Sequence, residues 1–304
     1  MKTARLVALA GAAALGLAAC AMPTSPAQTK IERPDGLMVW PDLLKRERPK
    51  ENASITYGAA ALQVVDLWLP AGPGPHPTVL MVHGGCWQSE IADRRIMNWI
   101  ADDLSKRGIA VWNIDLRGVD REGGGYPGTF LDASAATDAL RQHGLKYNLD
   151  ISRLVAVGHS AGGHLALWLA GRSRLPASSP LRTSDPLPIP TVVSLGGLPD
   201  LEEAARPPGS GCGTEVIEKL TGGSFADTSV PRLAPLGVRQ ILINGVQDRI
   251  IPTDYAEAYA APMRAAGDTV EVRMIDRTGH VELIAPESAA WAVAVKEIER
   301  ALGR

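Results

Sequence analysis

Leu154-Val155-Ala156-Val157-Gly158-His159-Ser160-Ala161-Gly162-Gly163 is the stretch on which the reading of the fold turns. Arg153 to Val157 reads as a strand, and its run of four apolar residues marks one buried on both faces. Ala161 to Gly171 then suits a helix. Between them lies Gly158-x-Ser160-x-Gly162, a reversal so sharp that it holds its central residue in strained backbone geometry. Glycines two before and two after clear space that side chains would block. The turn lifts the Ser160 hydroxyl to the carboxyl end of a sheet, where open α/β sheets place their sites. The amino end of the following helix directs partial positive charge at any anion that develops there.

Outward from this turn the chain alternates strand and helix. Upstream, Ser54–Tyr57 and Gln63–Leu69 are expected as short strands, Thr78–Val82 as a buried strand, 91–107 as a helix, Ile109–Ile114 as a strand and Leu131–His143 as a helix. Downstream, Thr191–Leu195, Arg239–Asn244 and Val270–Ile275 suit strands, and Thr253–Ala266 and Ala285–Leu302 suit helices. Repeated βαβ units imply an α/β fold, with a mostly parallel central sheet flanked by helices and right-handed crossovers. Two stretches break the rhythm. Residues 172–190 are rich in Pro and Ser and read as a loop. Residues 200–236 carry Pro207-Pro208-Gly209 and only a short helix near Glu215–Leu220. They are expected to form a small cap insertion over the site, the bland alternative being a solvated surface loop.

A serine needs a base, and on a turn of this kind the partners follow in the order acid, then His. Two histidines lie after Ser160. His164 sits one helical turn away, fixed to its own backbone and badly placed. His280, in Thr278-Gly279-His280 past the last strand, can swing an imidazole over the sheet and is the expected base. Asp248, just beyond the strand Arg239–Asn244, is the expected acid, which would orient the imidazole and stabilise its charged form. Its rivals are Asp254, Asp268 and Asp276, of which Asp276 is the serious one. An oxyanion hole is expected from His83-Gly84-Gly85-Cys86-Trp87, after the strand Thr78–Val82. The backbone N–H groups of Gly85, Cys86 and Ala161 are the nominated donors. His83 reads as a loop brace rather than a proton carrier.

With His83-Gly84-Gly85-Cys86-Trp87, Gly158-His159-Ser160-Ala161-Gly162-Gly163-His164, Asp248 and Gly279-His280 in place, the chain resembles the esterase and lipase branch of the α/β hydrolases. It is most similar to small esterases and arylformamidases, over roughly residues 50–304. It departs from the hormone-sensitive-lipase-like members, which carry a third glycine where Cys86 stands. The resemblance implies carboxylic ester hydrolysis through an acyl-enzyme, with no metal and no cofactor. The same triad serves an amidase, arylformamidase or peptidase, and a non-catalytic binding lipoprotein on this scaffold is a third alternative. An ester or amide of small size is the expected partner.

Composition agrees with a soluble globular enzyme: 304 residues, 45% apolar and 21% charged. A net charge of −2, with scattered Lys and Arg, speaks against nucleic acid as partner. Lys2 and Arg5, an apolar run Leu6–Leu17 and then Leu17-Ala18-Ala19-Cys20 read as a signal peptide over 1–19, too short to span a bilayer permanently. The ending resembles a bacterial lipobox, which implies lipidation of Cys20 and attachment to a membrane surface of the cell envelope. Residues 20–50 are expected as a lipidated tether and lead-in, and 51–304 as the hydrolase domain. Export would leave Cys86 and Cys212 either disulfide-bonded or as free buried thiols. No Cys or His pairs stand at metal-ligand spacing.

Overall fold

The computed structural model describes residues 36–206 and 211–304, so the expected signal peptide, Cys20 and Pro207-Pro208-Gly209 lie outside the described residues. Eight strands form its sheet: β1 (Ala53–Thr56), β2 (Val64–Trp68), β3 (His76–Val82), β4 (Ala110–Ile114), β5 (Leu149–His159), β6 (Thr191–Leu195), β7 (Arg239–Gly245) and β8 (Thr269–Ile275). Their order is β1-β2-β4-β3-β5-β6-β7-β8. The β1–β2 and β2–β4 pairs are antiparallel, and every other pair is parallel. This is the α/β-hydrolase fold, a mostly parallel sheet with helices on both faces.

Alternation along the central strands decides what each face buries. Val79, Met81, Val155, Val157, Val193, Leu195, Ile241 and Ile243 point to one face and join one apolar cluster. Leu80, Val82, Leu154, Ala156, Val192 and Leu242 point to the other and join a second. The first is covered by α2 (Asn98–Lys106) and α9 (Ala289–Ala301), through Ile100, Leu104, Trp291 and Ile298. The second is covered by α3 (Gly128–Asp138), α4 (Leu140–Lys146), α5 (Ala161–Ala170) and α8 (Asp254–Ala265). Strands buried on both faces need continuous apolar runs, and β3 is buried at all seven positions.

Several boundaries differ from expectation for local reasons. The expected helix 91–107 begins as a 3-10 turn, Arg94–Met97, because the Asp93 carboxylate accepts from the Arg95 N–H and caps it there. The expected helix Leu131–His143 is two helices, α3 and α4, that meet at Ala139. The closing helix starts four residues later than expected, at Ala289. Pro286 interrupts the chain, and the Ser288 hydroxyl accepts the Trp291 N–H as N-cap.

The lead-in 20–50 divides. Its described part from Leu37 belongs to the same compact unit as the sheet and is not a tether. A short helix, α1 (Trp40–Leu44), buries Leu43 completely. The Trp99 indole N–H donates to the Glu47 carbonyl at 3.0 Å, and the Asn98 amide to that of Pro49 at 3.0 Å. A segment rich in charge and proline thus docks through a few apolar anchors and backbone carbonyls, which periodicity does not reveal. The 200–236 insertion contains α6 (Leu201–Ala205) and α7 (Thr214–Thr221), whose Leu201, Ile217 and Leu220 pack into the second cluster.

Candidate active site

Ser160 occupies the turn between β5 and α5 at φ 54°, ψ −124°, a conformation that L-residues rarely adopt. The turn is forced by contact: a Cβ on Gly158 would fall 2.0 Å from the Gly162 carbonyl oxygen. The Ser160 N–H is tied to the Leu195 carbonyl at 2.9 Å, so the end of β6 holds the turn in place.

Asp248 follows β7 and His280 follows β8, both at the carboxyl ends of their strands and both buried. The His280 Nδ1–H donates to Asp248 Oδ2 at 2.7 Å. Asp248 Oδ1 accepts the Ile250 N–H at 2.8 Å and the Ile251 N–H at 3.0 Å. The carboxylate is therefore oriented on one side and receives the imidazole on the other. With Nδ1 committed as donor, Nε2 of the neutral ring is the free acceptor. Ser160 and His280 line one cleft of about 610 Å³. No hydrogen bond joins them, and contacts of this kind often tighten only when substrate is bound.

Three residues that sequence reasoning missed shape the His280 loop. His159 donates its Nε2–H to the His280 carbonyl at 3.1 Å. Burial, and then the charge of His280, hold its pKa well below the ordinary histidine value, so it stays a neutral donor. Trp40 stands edge-on to the His159 and His280 rings, with centroids 6.1 and 6.2 Å away. Gly196, at the end of β6 with φ 56°, leaves room for the pair: a Cβ there would lie 3.3 Å from both Asp248 Oδ2 and His280 Cε1, and 2.6 Å from Leu283 Cδ1. Gly196→Ala is expected to shift the imidazole and lower kcat roughly 100-fold, the scale for a displacement of about 1 Å at a reacting group. Steady-state kinetics on the folded variant checks this, and a loss below twofold would sink it.

Gly85 and Cys86, nominated as oxyanion donors, line the same cleft as Ser160, and Ala161 follows Ser160 in the chain. Gly85, Cys86 and Trp87 are consecutive left-handed residues, at φ 105°, 50° and 53°. The N–H groups of Gly85 and Cys86 have no acceptor among the described residues. Ala161 opens α5, where the first N–H groups lack an intrahelical partner. Cys86 is disulfide-bonded to Cys212, 126 residues away, with 5.2 Å between their Cα atoms. The choice between bond and free thiols that the sequence leaves open falls to the bond. The cleft is walled by Trp40, Leu44 and Arg48 of the lead-in, by Gly85, Cys86 and much of the stretch 89–96, and by Ile250. Among its described residues the 200–236 insertion does not line the cleft. It meets the cleft wall from behind, through the Cys212–Cys86 bond and the Gly211 N–H on the Ile250 carbonyl, while its apolar residues pack against the sheet rather than over the site.

The other candidates fall into place away from the chemistry. His164 donates Nε2–H to the Thr228 carbonyl at 2.8 Å, and burial lowers its pKa to about 4. Asp268 accepts the Leu236 and Gly237 N–H groups, at 2.9 and 2.8 Å. Asp254 and Asp276 are exposed. His83 braces the oxyanion turn through a buried ionic chain: its Nε2 lies 3.1 Å from Asp115 Oδ1, Arg94 pairs with Asp115 at 2.8 Å and with Asp66 at 2.7 Å. Its Nδ1 faces the Gly84 carbonyl at 2.6 Å, so both nitrogens address acceptors, as an imidazolium would. Burial pulls the His83 pKa down, but the Asp115 hydrogen bond and charge outweigh it and leave it raised. Asp115→Asn removes the shared anion and is expected to cost about 3–5 kcal/mol of stability. Urea unfolding measures this, and a loss under about 1 kcal/mol would contradict the role.

Among the described residues no cluster of three or more His, Cys, Asp or Glu is placed to hold a metal ion, and no helix is long and apolar enough to cross a membrane.

A family model described as BD-FAE matches residues 65–260. The probable isoprenylcysteine alpha-carbonyl methylesterase ICMEL1 of Arabidopsis thaliana is 34% identical over 119 residues, 39% of this chain and 24% of that protein. Esterase LipI of Mycobacterium tuberculosis is 30% identical over 163 residues, 48% of this chain and 50% of that protein. The chain thus spans a quarter to a half of the length of these curated relatives. Among solved structures, a truncated form of a carbohydrate esterase from gut microbiota superposes with a TM-score of 0.69 at 19% identity, covering 85% of this chain and 99% of that one.

Proposed function

Because the chain belongs to the BD-FAE family, we propose that it is a carboxylesterase acting through an acyl-enzyme, with Ser160 as nucleophile, His280 as base and Asp248 as orienting acid. The observation that carries this reading is the Asp248–His280 bond of 2.7 Å, in a cleft that also receives Ser160 from a strained turn. Ser160 Oγ attacks the ester carbonyl while His280 Nε2 takes its proton. The carbonyl oxygen gains negative charge beside the N–H groups of Gly85, Cys86 and Ala161, which have no acceptor of their own to abandon. His280 then returns the proton to the departing alcohol. Water, activated by the same imidazole, releases the acid. The chemistry supports small esters as substrates.

We also propose export and lipidation at Cys20, which would hold the enzyme at a membrane surface of a bacterial envelope. The lipobox-like Leu17-Ala18-Ala19-Cys20 and the basic start support it.

The test is a p-nitrophenyl ester series from acetyl to palmitoyl, assayed with enzyme lacking residues 1–19. Hydrolysis with a preference for shorter chains is expected, since a cleft of about 610 Å³ is sized for small ligands. A protein inert on every ester but active on aryl formamides or amides would replace the esterase reading with the amidase one.

A further inference from the structure

Of the three left-handed residues in the oxyanion turn, two have backbone restraints. The Gln88 N–H bonds the Gly85 carbonyl at 2.8 Å, and the Val119 N–H bonds that of Trp87 at 2.8 Å. The Trp87 ring is held edge-on against His164, with centroids 5.5 Å apart. Cys86, between them, is an L-residue at φ 50°, and its own N–H has no acceptor among the described residues. Its restraint is the bond to Cys212. A residue in this backbone region persists only where its surroundings hold it.

Cys212 in turn is fixed toward the acid. The N–H of its neighbour Gly211 donates to the Ile250 carbonyl at 3.3 Å. The Ile250 N–H donates to Asp248 Oδ1 at 2.8 Å. A short path of covalent and hydrogen bonds thus runs from the oxyanion turn to the carboxylate, through two residues of the 200–236 insertion.

We propose that Cys212 is a positioning residue for the reaction: its disulfide holds the Cys86 N–H in catalytic orientation, and activity therefore depends on the redox state of this pair. The proposal rests on the esterase reading above. Cys86 is half-buried and lines the cleft, so a small reductant has access from that side. A dithiol breaks the S–S bond by thiolate attack, forms a mixed disulfide and then leaves as its own cyclic disulfide. The protein gains two electrons and two protons, as two thiols. The Asp248–His280 bond is not touched.

The experiment compares oxidised wild type, wild type reduced with dithiothreitol, and Cys212→Ser, each assayed on p-nitrophenyl acetate at a temperature where its far-ultraviolet circular dichroism is that of the folded protein. Misplacing one oxyanion donor is expected to lower kcat about 10- to 100-fold, somewhat less than its complete loss, and to leave KM within about twofold. The pH dependence of kcat keeps its shape, because the base and its acid are unchanged. Reoxidation restores the wild type and does nothing for Cys212→Ser. Full kcat in the reduced enzyme, or a change confined to KM, overturns the proposal. So does loss of the folded spectrum in both bond-free forms, since the bond would then serve the fold as a whole. Activity of the oxidised enzyme that survives Ser160→Ala would instead overturn the esterase reading itself.

Discussion

Ser160→Ala is expected to lower kcat for p-nitrophenyl acetate by about a million-fold, the scale at which loss of an activated serine removes covalent catalysis. The substitution deletes one oxygen and keeps the left-handed backbone no harder to reach, because Ala and Ser carry the same Cβ. The strand-to-helix turn is fixed by the Leu195 carbonyl and by the close approach of Gly158 to Gly162, neither of which involves the hydroxyl. Folding and substrate binding should therefore persist while the acyl-enzyme cannot form. Burst kinetics reads this directly: the rapid release of nitrophenolate in the wild type disappears in the variant. A variant retaining more than about one hundredth of wild-type activity would remove Ser160 from the chemistry.

Asp248→Asn is the second large effect, about 10,000-fold in kcat. The reason lies in how the carboxylate is divided. Oδ1 accepts from the Ile250 and Ile251 N–H groups, and Oδ2 accepts from His280. An asparagine must keep its carbonyl oxygen toward the two backbone donors, which a side-chain amide nitrogen cannot satisfy. Its NH2 then faces His280 Nδ1. That nitrogen must become an acceptor, the ring proton moves to Nε2, and the base is held in the wrong tautomer. Geometry is preserved while function is lost, so thermal stability should change far less than kcat. Asp276→Asn, at the exposed rival four residues from His280, should leave kcat unchanged. The reverse pattern would transfer the role of acid to Asp276.

How much of this was legible in the sequence depends on how local each cause is. The turn at Ser160 was legible because a buried strand, a glycine-flanked reversal and a helix lie in one continuous stretch. Asp248 and His280 were legible by their order after it and their places beyond two strands. The acid's rivals separated only in three dimensions, where Asp268 is spent on the Leu236 and Gly237 amides and Asp276 stays in solvent. The lead-in departs from expectation because its composition is that of a tether, while its hold on the fold comes from Leu43, Trp40 and carbonyls that meet α2 across the chain. Gly196 and His159 gave no distinct signal either. A glycine next to a strand and a histidine beside a serine have many uses, and only the position of the His280 loop selects one. The insertion was expected over the site on the strength of its length and irregularity. Among its described residues Leu201, Ile217 and Leu220 are instead drawn into the cluster on one face of the sheet, and Cys212 bonds from there to Cys86 at the cleft wall.

That cysteine closes a covalent ring. Bonding residue 86 to residue 212 encircles β4, β5 and β6 with the helices between them, so Ser160 lies inside the ring while Asp248 and His280 lie on the tail outside it. The exposed stretch around Pro176 to Pro180 also lies inside. Exposed loops of small and polar residues are where proteases cut first. A nick there leaves the chain a single covalent molecule with every hydrogen bond of the site still anchored. The oxidised protein thus tolerates a wound at this exposed loop that would divide the reduced one into two chains, the nucleophile on the first and the base on the second.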